Sequence, residues 1–420
     1  MSDTFQTLTV GKRWLVLGLL TLGVFIAFVD RTIISSAIAD KTFIAYFQLS
    51  DVDRGLVGSA FFWSYAVVQL PMGWLVDRYG LKWPYSIFFF LWCIATAVTG
   101  LVTTFAAIVV MRLLVGIAES VVIPASYRWI RLNIPETRRG TAVGVFAFGN
   151  KLGTAVGAPL AAWLIVAFDW RMMFVVLGAA GLVWLIPWLF VVDDDLPRGA
   201  ELENVKRSAA TVSFRSIITS PLVLGEMVLN FCYGYFTFYC MTWMPSYLAE
   251  TRGLSLKNSA LFTFFSFAGI AIVALLAGWA ADRIIARGHD AVFVRKAFII
   301  AGFIGGCSIM LGVYAESLQA ALFWNIASLS FLGLVTANNL ALTRLTLIPA
   351  PAVGLVTGVQ QVATSLSGGF SASISGWLKH ETGGYDAPLL VVLVFMLIGA
   401  LATWLLIKPQ FAPQATAKAA

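Results

Sequence analysis

The chain has 420 residues, of which 60% are hydrophobic and only 12% are charged. Soluble domains are about 25% charged, and a water-soluble fold of this size cannot bury so much apolar surface. The formal net charge of +7 does not indicate a nucleic-acid-binding protein, because the basic residues form short clusters between apolar segments instead of one basic face. The composition therefore predicts a membrane protein.

The first apolar segment is long enough to cross a bilayer. It extends from Trp14 to about Ser36, and a transmembrane helix needs about 20 residues. Lys12-Arg13 and the later Ala37-Ile38-Ala39 imitate a cleaved secretion signal, but Asp30-Arg31 interrupts the approach to that site. We therefore expect a first transmembrane helix here and no cleaved targeting segment.

Eleven further segments of spanning length follow, and one long hydrophilic stretch, Asp193 to Ser220, divides the set in two. The predicted spans lie near 14–36, 53–76, 84–103, 105–131, 139–167, 171–192, 221–249, 258–284, 293–314, 317–346, 353–378 and 386–408. The predicted fold class is an all-α polytopic membrane protein with twelve transmembrane helices in two pseudo-symmetric six-helix halves. The halves are residues 1–192 and 221–420, and residues 193–220 form a cytoplasmic linker.

The distribution of basic residues predicts the orientation. If both termini are cytoplasmic, 18 of the 28 Lys and Arg residues fall on the cytoplasmic side and 6 on the outer side, and the other 4 lie inside predicted spans. The outer set is Lys41, Arg54, Arg171, Arg252, Lys257 and Lys379. This bias favours an even number of spans with both ends inside.

A short motif occurs once in each half. Gly73-Trp-Leu-Val-Asp77-Arg78-Tyr-Gly80-Leu-Lys82 ends the second predicted helix, and Gly278-Trp-Ala-Ala-Asp282-Arg283 ends the eighth. Repeated halves with a solute site near the bilayer midplane are typical of secondary carriers. The first copy resembles the most specific signature of the major facilitator superfamily, and the second is a degenerate copy without the second glycine.

Further motifs strengthen this resemblance, which covers residues 10–410. Arg112-x-x-x-Gly116 resembles the superfamily's helix-4 motif, and Gly153-x-x-x-Gly157-Ala158-Pro159 its helix-5 motif. Within the superfamily the chain is similar to the anion:cation symporter branch, which includes bacterial hexuronate, galactonate and glucarate carriers and sialin. Four stretches carry that similarity: Phe28-Val-Asp30-Arg31, Phe61-Phe62-Trp63-Ser64-Tyr65, Arg112-Leu-Leu-Val-Gly116-Ile-Ala-Glu119 and Thr242-Trp243-Met-Pro245-Ser-Tyr247-Leu.

Charges inside predicted spans are the main candidates for function, because each costs about 2.5–3.5 kcal/mol at a helix centre on insertion scales. Arg112 and Glu119 are seven residues apart and so share one helix face, while Asp30 and Arg31 are adjacent on helix 1. The resemblance implies pairs of Asp30 with Arg112 and of Arg31 with Glu119 that couple protons to substrate. A substrate carboxylate that docks on Arg31 would leave Glu119 to take a proton. A permanent ion-pair clamp between helices 1 and 4 is the alternative.

Other polar residues are predicted to contact substrate. The resemblance assigns an aromatic hydroxyl at Tyr65 and amides at Asn150 and Gln361, and it implies an uncharged residue where this chain has Lys151. With Lys151 the site carries a net charge of +1, which favours an anion, although Lys151 could instead be structural. The full set of predicted substrate contacts is Arg31, Tyr65, Asn150, Lys151, Asn338, Asn339, Gln360 and Gln361.

Two groups of residues are predicted to serve other purposes. The motif residues Gly73, Asp77, Arg78, Gly80, Lys82, Asp282 and Arg283 are expected to gate the inner face, because the resemblance implies that role. Glu226 and Arg344 are expected near cytoplasmic helix ends, where water solvates them.

The function predicted from these observations is proton-coupled uptake of a small organic anion by alternating access. A sugar acid (hexonate, hexuronate or hexarate) is the leading substrate, and an aromatic or short aliphatic carboxylate is the alternative. A proton-driven exporter fits less well because the site is positive, and a non-transporting protein does not need charges inside spans. No enzyme is expected: the two histidines, His289 and His380, lie in loops, without an HExxH or nucleophile-elbow motif.

The expected partners are the solute, protons and the lipid bilayer, with no nucleic acid. No cofactor or metal is expected, because Cys93, Cys232, Cys240 and Cys307 lie in apolar segments without metal-type spacing. A multi-pass monomer in the inner (cytoplasmic) membrane, with both termini in the cytoplasm, is the resulting prediction.

Overall fold

A computed structural model describes residues 9–193, 214–342, 347–348 and 353–412. The described residues are helical, with short turns between helices. Their α-helices are α1 Val10–Ala39, α2 Lys41–Phe47, α3 Asp51–Tyr79, α4 Lys82–Thr99, α5 Phe105–Glu119, α6 Val122–Asn133, α7 Glu136–Ala167, α8 Trp170–Val191, α9 Phe214–Ile218, α10 Pro221–Thr242, α11 Met244–Arg252, α12 Leu256–Ile285, α13 Ala291–Gly306, α14 Ile309–Val313, α15 Leu318–Ala341, α16 Val353–Thr382 and α17 Asp386–Leu406.

Short polar side chains fix where many of these helices begin. Asp169 accepts a hydrogen bond from the Met172 amide at 2.7 Å, and Asp290 accepts one from the Phe293 amide at 2.7 Å. Such N-caps satisfy backbone donors that have no partner inside the helix. Gly80, at φ 77°, ends α3 in the left-handed region that glycine adopts without strain. The sequence therefore encodes the spacing of the spans as well as their apolar content.

The described residues contain eight helices or joined helix pairs long and apolar enough to cross a membrane, and a ninth if 51–79 counts as one bent span. Large apolar side chains on their outer surfaces are exposed, as at Phe190 (86%) and Leu275 (76%). In a bilayer those surfaces face lipid, which removes the penalty that water would impose.

Prolines follow the breaks in two interrupted spans, and a third predicted span, 293–314, also breaks, between Gly306 and Ile309. The span predicted at 105–131 breaks between Glu119 and Val122, and the span predicted at 221–249 breaks at Trp243. Pro124 and Pro245 follow the breaks, and a proline has no N–H for the carbonyl four residues earlier. Uninterrupted hydrophobicity hid all three breaks from the sequence analysis.

The described residues divide into two compact units, one within Met1–Ala37 and Ser64–Pro197 and the other within Ile38–Trp63 and Arg198–Ala420. The predicted domain limits, 1–192 and 221–420, remain a prediction. Residues 194–213 of the predicted linker lie outside the described residues, and α9 occupies Phe214–Ile218 within it.

A closed set of four ion pairs joins three helices of the second unit. Arg54 contacts Asp51 and Glu250, each at 2.7 Å, and Lys379 contacts the same two carboxylates at 2.7 and 2.6 Å. Burial alone would raise the pKa of Glu250, but the ion pairs with Arg54 and Lys379 hold it below its usual range. The start of α3 is therefore tied to α11 and α16 by charge as well as by packing.

Candidate substrate and proton site

Glycines on α7 bring α1 close enough to form the candidate site of the first unit. A Cβ on Gly149 would lie 2.5 Å from the Thr21 carbonyl oxygen, and one on Gly157 would lie 2.9 Å from the Val29 Cα. These contacts are too short for any side chain, so glycine is required where the two backbones meet. The arrangement packs the segment of α1 that carries Asp30 tightly against α7.

Arg31 and Glu119 form a buried ion pair in the first unit. Arg31 Nε donates to Glu119 Oε2 at 2.8 Å, and the side chains are 4% and 0% exposed. The guanidinium carbon lies 4.3 Å from the Phe28 ring centroid and 4.7 Å from that of Tyr65. Stacking on two aromatic faces orients the flat guanidinium, so its N–H edges are held ready for a planar anion.

Asp30, the neighbour of Arg31, is also buried, at 2% exposure. Its carboxylate accepts a hydrogen bond from the Trp92 indole Nε1 on α4. Arg112, its predicted partner, is 3% exposed and acts electrostatically on both Asp30 and Glu119. The structure therefore brings the four predicted coupling residues together and adds Trp92, which the sequence analysis missed.

Asn150 and Lys151 lie on α7, which packs on α1, and both are half-buried. The Asn150 carbonyl accepts a hydrogen bond from the Thr154 hydroxyl at 3.0 Å. The three cations and two carboxylates that the sequence assigns to the site, Arg31, Arg112, Lys151, Asp30 and Glu119, all lie in the first unit.

The second unit holds a separate polar cluster centred on Glu226. Gln360 Nε2 donates to Glu226 Oε2 at 3.0 Å, and Asn230 Nδ2 donates to the Glu226 carbonyl at 2.7 Å. The Asn339 side-chain nitrogen, in the amide orientation that satisfies both of its polar groups, donates to Glu226 Oε2 at 2.9 Å. Glu226 is 0% exposed, so the prediction that water solvates it was wrong. Arg344 lies outside the described residues.

The other two predicted substrate contacts of this unit differ in exposure. Asn338 is 0% exposed, donates to the Leu334 carbonyl at 3.0 Å and accepts from Arg295 at 3.5 Å. Gln361 is half-buried. Of the four second-unit amides predicted to contact substrate, three are thus hydrogen-bonded to protein groups, and Gln361 is the most accessible.

The two copies of the repeated motif each make an ion pair through their aspartate. Asp77 contacts Arg128 of α6 at 3.3 Å, and Asp282 contacts Arg295 of α13 at 2.7 Å. Sequence analysis identified neither arginine as a partner, since both lie on other helices.

The remaining motif residues are more exposed or lie at the turn. Arg78 and Arg283 are exposed beside Trp74 and Trp279, and Lys82 lies beside Trp83. Gly80 forms the turn after α3, whereas a Cβ on Gly73 would meet nothing within 4 Å. The Gly73 position therefore has no packing requirement in this conformation.

Comparison with known proteins supplies the family. The pattern of the Major Facilitator Superfamily matches residues 20–347. The chain belongs to the major facilitator superfamily. It is a membrane transporter and not an enzyme, and the fold class predicted from the sequence is confirmed.

Named relatives of this superfamily member align over almost its whole length. A probable sulfoacetate transporter of Cupriavidus necator is 29% identical, with 95% of each chain covered. The D-galactonate transporter of Escherichia coli O6:H1 is 28% identical, covering 94% of this chain and 96% of the relative. A probable galactarate/D-glucarate transporter of Bacillus subtilis is 28% identical, covering 97% and 96%. These relatives agree with the anion:cation symporter branch.

Solved structures show the same fold. A bacterial homologue of the human lysosomal transporter Spinster superposes with a TM-score of 0.74 at 18% identity, covering 96% of this chain and 99% of that one. A D-xylose–proton symporter gives a TM-score of 0.74 at 16% identity with the same coverage. At these identities the similarity concerns the fold alone.

Proposed function

We propose that this transporter takes up a sugar acid together with a proton across the cytoplasmic membrane, with both termini in the cytoplasm. The observation that carries the proposal is the buried Arg31–Glu119 ion pair, whose guanidinium is stacked on Phe28 and Tyr65. An ion pair in a low-dielectric interior is stable only while both charges keep a partner. A substrate carboxylate that competes for Arg31 therefore changes the protonation of Glu119.

Substrate binding couples to the proton through that competition. A carboxylate that docks on Arg31 draws the guanidinium away from Glu119, and the uncompensated carboxylate of Glu119 then binds a proton. A monoanion that binds together with one proton leaves the net charge of the site unchanged. Alternating access then moves no additional charge through a dry interior.

The sugar acid is favoured over other acids on two grounds. Two of the relatives carry D-galactonate or galactarate/D-glucarate in their names. In this chain the half-buried Asn150, with the Tyr65 ring beside Arg31, offers amide and hydroxyl groups for substrate hydroxyls. Among the residues assigned to the site, the three cations Arg31, Arg112 and Lys151 outnumber the two carboxylates, and that excess favours an anion.

A short aliphatic acid is the second candidate. The relative named as a sulfoacetate transporter matches 95% of this chain, and sulfoacetate is a small dianion without a sugar hydroxyl chain. The extra cation Lys151 fits a second negative charge equally well. The panel of acids in the test described below separates the two candidates.

The ion pairs Asp77–Arg128 and Asp282–Arg295 serve as latches at the cytoplasmic ends of their helices in this proposal. Partly exposed ion pairs contribute only about 0–1 kcal/mol each. That small energy suits contacts that must break and reform in every cycle. The transporter is expected to act as a monomer.

The number of protons carried with each substrate molecule determines how far the transporter can accumulate the substrate. A monoanion carried with one proton moves no net charge, so one pH unit supports about tenfold accumulation, or about 1.4 kcal/mol. A further proton would add the membrane potential, about 2.3 kcal/mol per charge per 100 mV.

The test uses purified protein in weakly buffered vesicles. Hexonates, hexuronates, hexarates, sulfoacetate and aromatic acids are added one at a time while external pH is recorded. We expect alkalinisation with one sugar acid in the wild type and none in Glu119→Gln, which should still exchange labelled for unlabelled substrate because exchange needs no net proton movement. His289→Gln, in a loop, is the control and should behave as wild type.

Other outcomes would replace the proposal. Alkalinisation with sulfoacetate alone would establish the second candidate as substrate. Tracer uptake that ignores pH in the wild type, with no pH change for any acid, would show a uniporter or exchanger in which Glu119 is a structural partner of Arg31.

A further inference from the structure

The ion-pair network of the second unit (Asp51, Arg54, Glu250 and Lys379) contains two cations that the proposed function does not use. Arg54 and Lys379 each contact both carboxylates, at 2.6–2.7 Å. The cations are the buried members, with side chains 4% and 9% exposed, whereas the side chains of Asp51 and Glu250 are 25% and 37% exposed. Carboxylates that water reaches therefore cover two cations that are almost shielded from it.

Neighbouring backbone and aromatic rings hold the two cations in place. Arg54 Nε donates to the Ile38 carbonyl at 2.8 Å, and its guanidinium carbon lies 5.1 Å from the Trp243 ring centroid. The Lys379 ammonium lies 5.9 Å from the same centroid and 4.7 Å from that of Tyr385. Cation–π contacts stabilise a positive charge without neutralising it, so both cations keep their full charge for an anion.

Trp243, which contacts both cations, is itself tightly packed. It is 0% exposed, and its indole N–H donates to the Ala372 carbonyl at 3.2 Å. One helical turn further along α16, a Cβ on Gly376 would lie 2.6 Å from the Asp51 carbonyl oxygen, so the backbones of α3 and α16 touch there. The two cations therefore rest on a surface that has little freedom to move.

A buried hydroxyl lies beside the network. Tyr385 is 5% exposed and close enough to Arg54 and Glu250 to interact with both electrostatically. Within the described part of the chain its hydroxyl makes no hydrogen bond of normal geometry. Buried hydroxyl groups in proteins nearly always have a hydrogen-bond partner, so this O–H is a donor suited to a group that binds at the two cations.

The network lies on the side from which the substrate arrives in the proposed uptake. Arg54 and Lys379 both belong to the basic residues that the charge distribution places at the outer face. A buried cation that loses its counter-charge is strongly destabilising. Asp51 and Glu250 can therefore leave only where water or another anion takes their place, and an incoming carboxylate offers the same oxygen ligands.

We propose that Arg54 and Lys379 form an outer anion site, in which the carboxylate of an incoming organic acid replaces Asp51 and Glu250. The inference rests on the proposed uptake and adds a docking step that precedes binding at Arg31. Asp51 and Glu250 are competitors built into the chain, which cover the cations when no acid is present. Both substrate candidates carry the carboxylate that the site requires.

The test compares half-saturation of substrate exchange at the two faces, measured in right-side-out and in everted membrane vesicles. Lys379→Gln should raise the half-saturating concentration at the outer face at least about threefold, the effect of losing one partly exposed charge contact. Asp51→Asn and Glu250→Gln each remove a competitor and should lower it. Lys257→Gln is the matched control, because Lys257 is an exposed lysine predicted at the same face and outside the network; it should behave as wild type.

The sign of these changes distinguishes an anion site from a simple clamp. If the network only holds the outer face closed, every neutralising variant favours the outward-open state, and the outer half-saturating concentration falls in all three. A fall or no change in Lys379→Gln would thus overturn the inference. If Lys379→Gln does not fold, Arg54→Lys keeps the charge and loses the two-point contact; its outer value should rise, and a fall or no change would again overturn the inference.

Failure of the proposed function would be recognised separately. A wild-type protein that transports no organic acid in either kind of vesicle would overturn the proposed uptake and the outer site together. Arg31→Lys should raise the half-saturating concentration at both faces, because Arg31 is proposed to bind the substrate whichever face it came from. A Lys379→Gln variant that raises both values equally would overturn the outer site alone, since the loss would then not depend on the face.

Discussion

At the scale of single residues, Arg31 contributes both a positive charge and a flat guanidinium group that stacks on aromatic rings. The guanidinium carbon lies over the Phe28 ring and over the Tyr65 ring, while Nε donates to Glu119. A lysine ammonium is a compact charge that can neither stack in this way nor present parallel N–H groups to a carboxylate. The site therefore depends on the identity of the cation and not only on its charge.

Replacing Arg31 by lysine should weaken substrate binding about tenfold or more, because both stacking and the two-point contact are lost. The measurement is the substrate concentration that half-saturates exchange in vesicles. Arg171→Lys is the control: Arg171 also stacks on an aromatic ring, that of Trp170 at 4.4 Å, but at the start of α8. Equal half-saturation in Arg31→Lys and wild type would contradict a substrate contact at Arg31.

The sequence predicted part of this site for a clear reason. Spacing placed Arg112 and Glu119 on one helix face, and charges inside apolar segments stand out in any sequence. Trp92 gave no such signal, because it is one of 15 tryptophans in the chain. Glu226 was noticed but placed in water, because its partner Gln360 lies 134 residues later. Contacts between distant helices depend on tertiary packing, which periodicity does not encode.

At the scale of helices, α7 positions the site by its small residues. A Cβ on Gly157 would lie 2.9 Å from the Val29 Cα and 3.0 Å from its carbonyl oxygen, whereas one on Gly144, on the same helix, would meet nothing within 4 Å. The apolar spans were predictable from the sequence. The sequence did not indicate which glycines of α7 pack directly against the α1 backbone. Only the structure distinguishes Gly157 from Gly144.

Gly157→Ala should lower the melting temperature in detergent and reduce uptake, because overpacking costs about 1–3 kcal/mol and pushes α1, with Asp30 and Arg31, away from α7. Gly144→Ala should be neutral or stabilising by up to about 1 kcal/mol, since alanine favours helix over glycine. Melting is followed by intrinsic fluorescence on both purified variants. Similar losses in the two variants would show that the α1–α7 contact does not limit stability.

At the scale of the whole molecule, hydrophobic patterning and a repeated loop motif were enough to predict the fold class. Membrane folds are unusually predictable in this respect, because every span must satisfy its backbone internally and only helices or closed barrels can do so. The domain limits remain a prediction, and Ile38–Trp63 lies in the same compact unit as the described residues of 198–420. The ion pairs of Arg54 and Lys379 contribute to that arrangement, and charge pairs between distant segments have no local signature.

The orientation in the membrane is the remaining prediction at this scale, and labelling of engineered cysteines tests it. His289 lies in an exposed loop, and Glu381 is exposed in the last turn of α16; the excess of basic residues places the first in the cytoplasm and the second outside. Cys93, Cys232 and Cys240 are buried, so background labelling should be low. A membrane-impermeant maleimide should label Glu381→Cys in intact cells and His289→Cys only after permeabilisation. The reverse pattern would place both termini outside. The Asp77–Arg128 and Asp282–Arg295 ion pairs would then lie at the outer face, which contradicts their proposed role as latches of the cytoplasmic face.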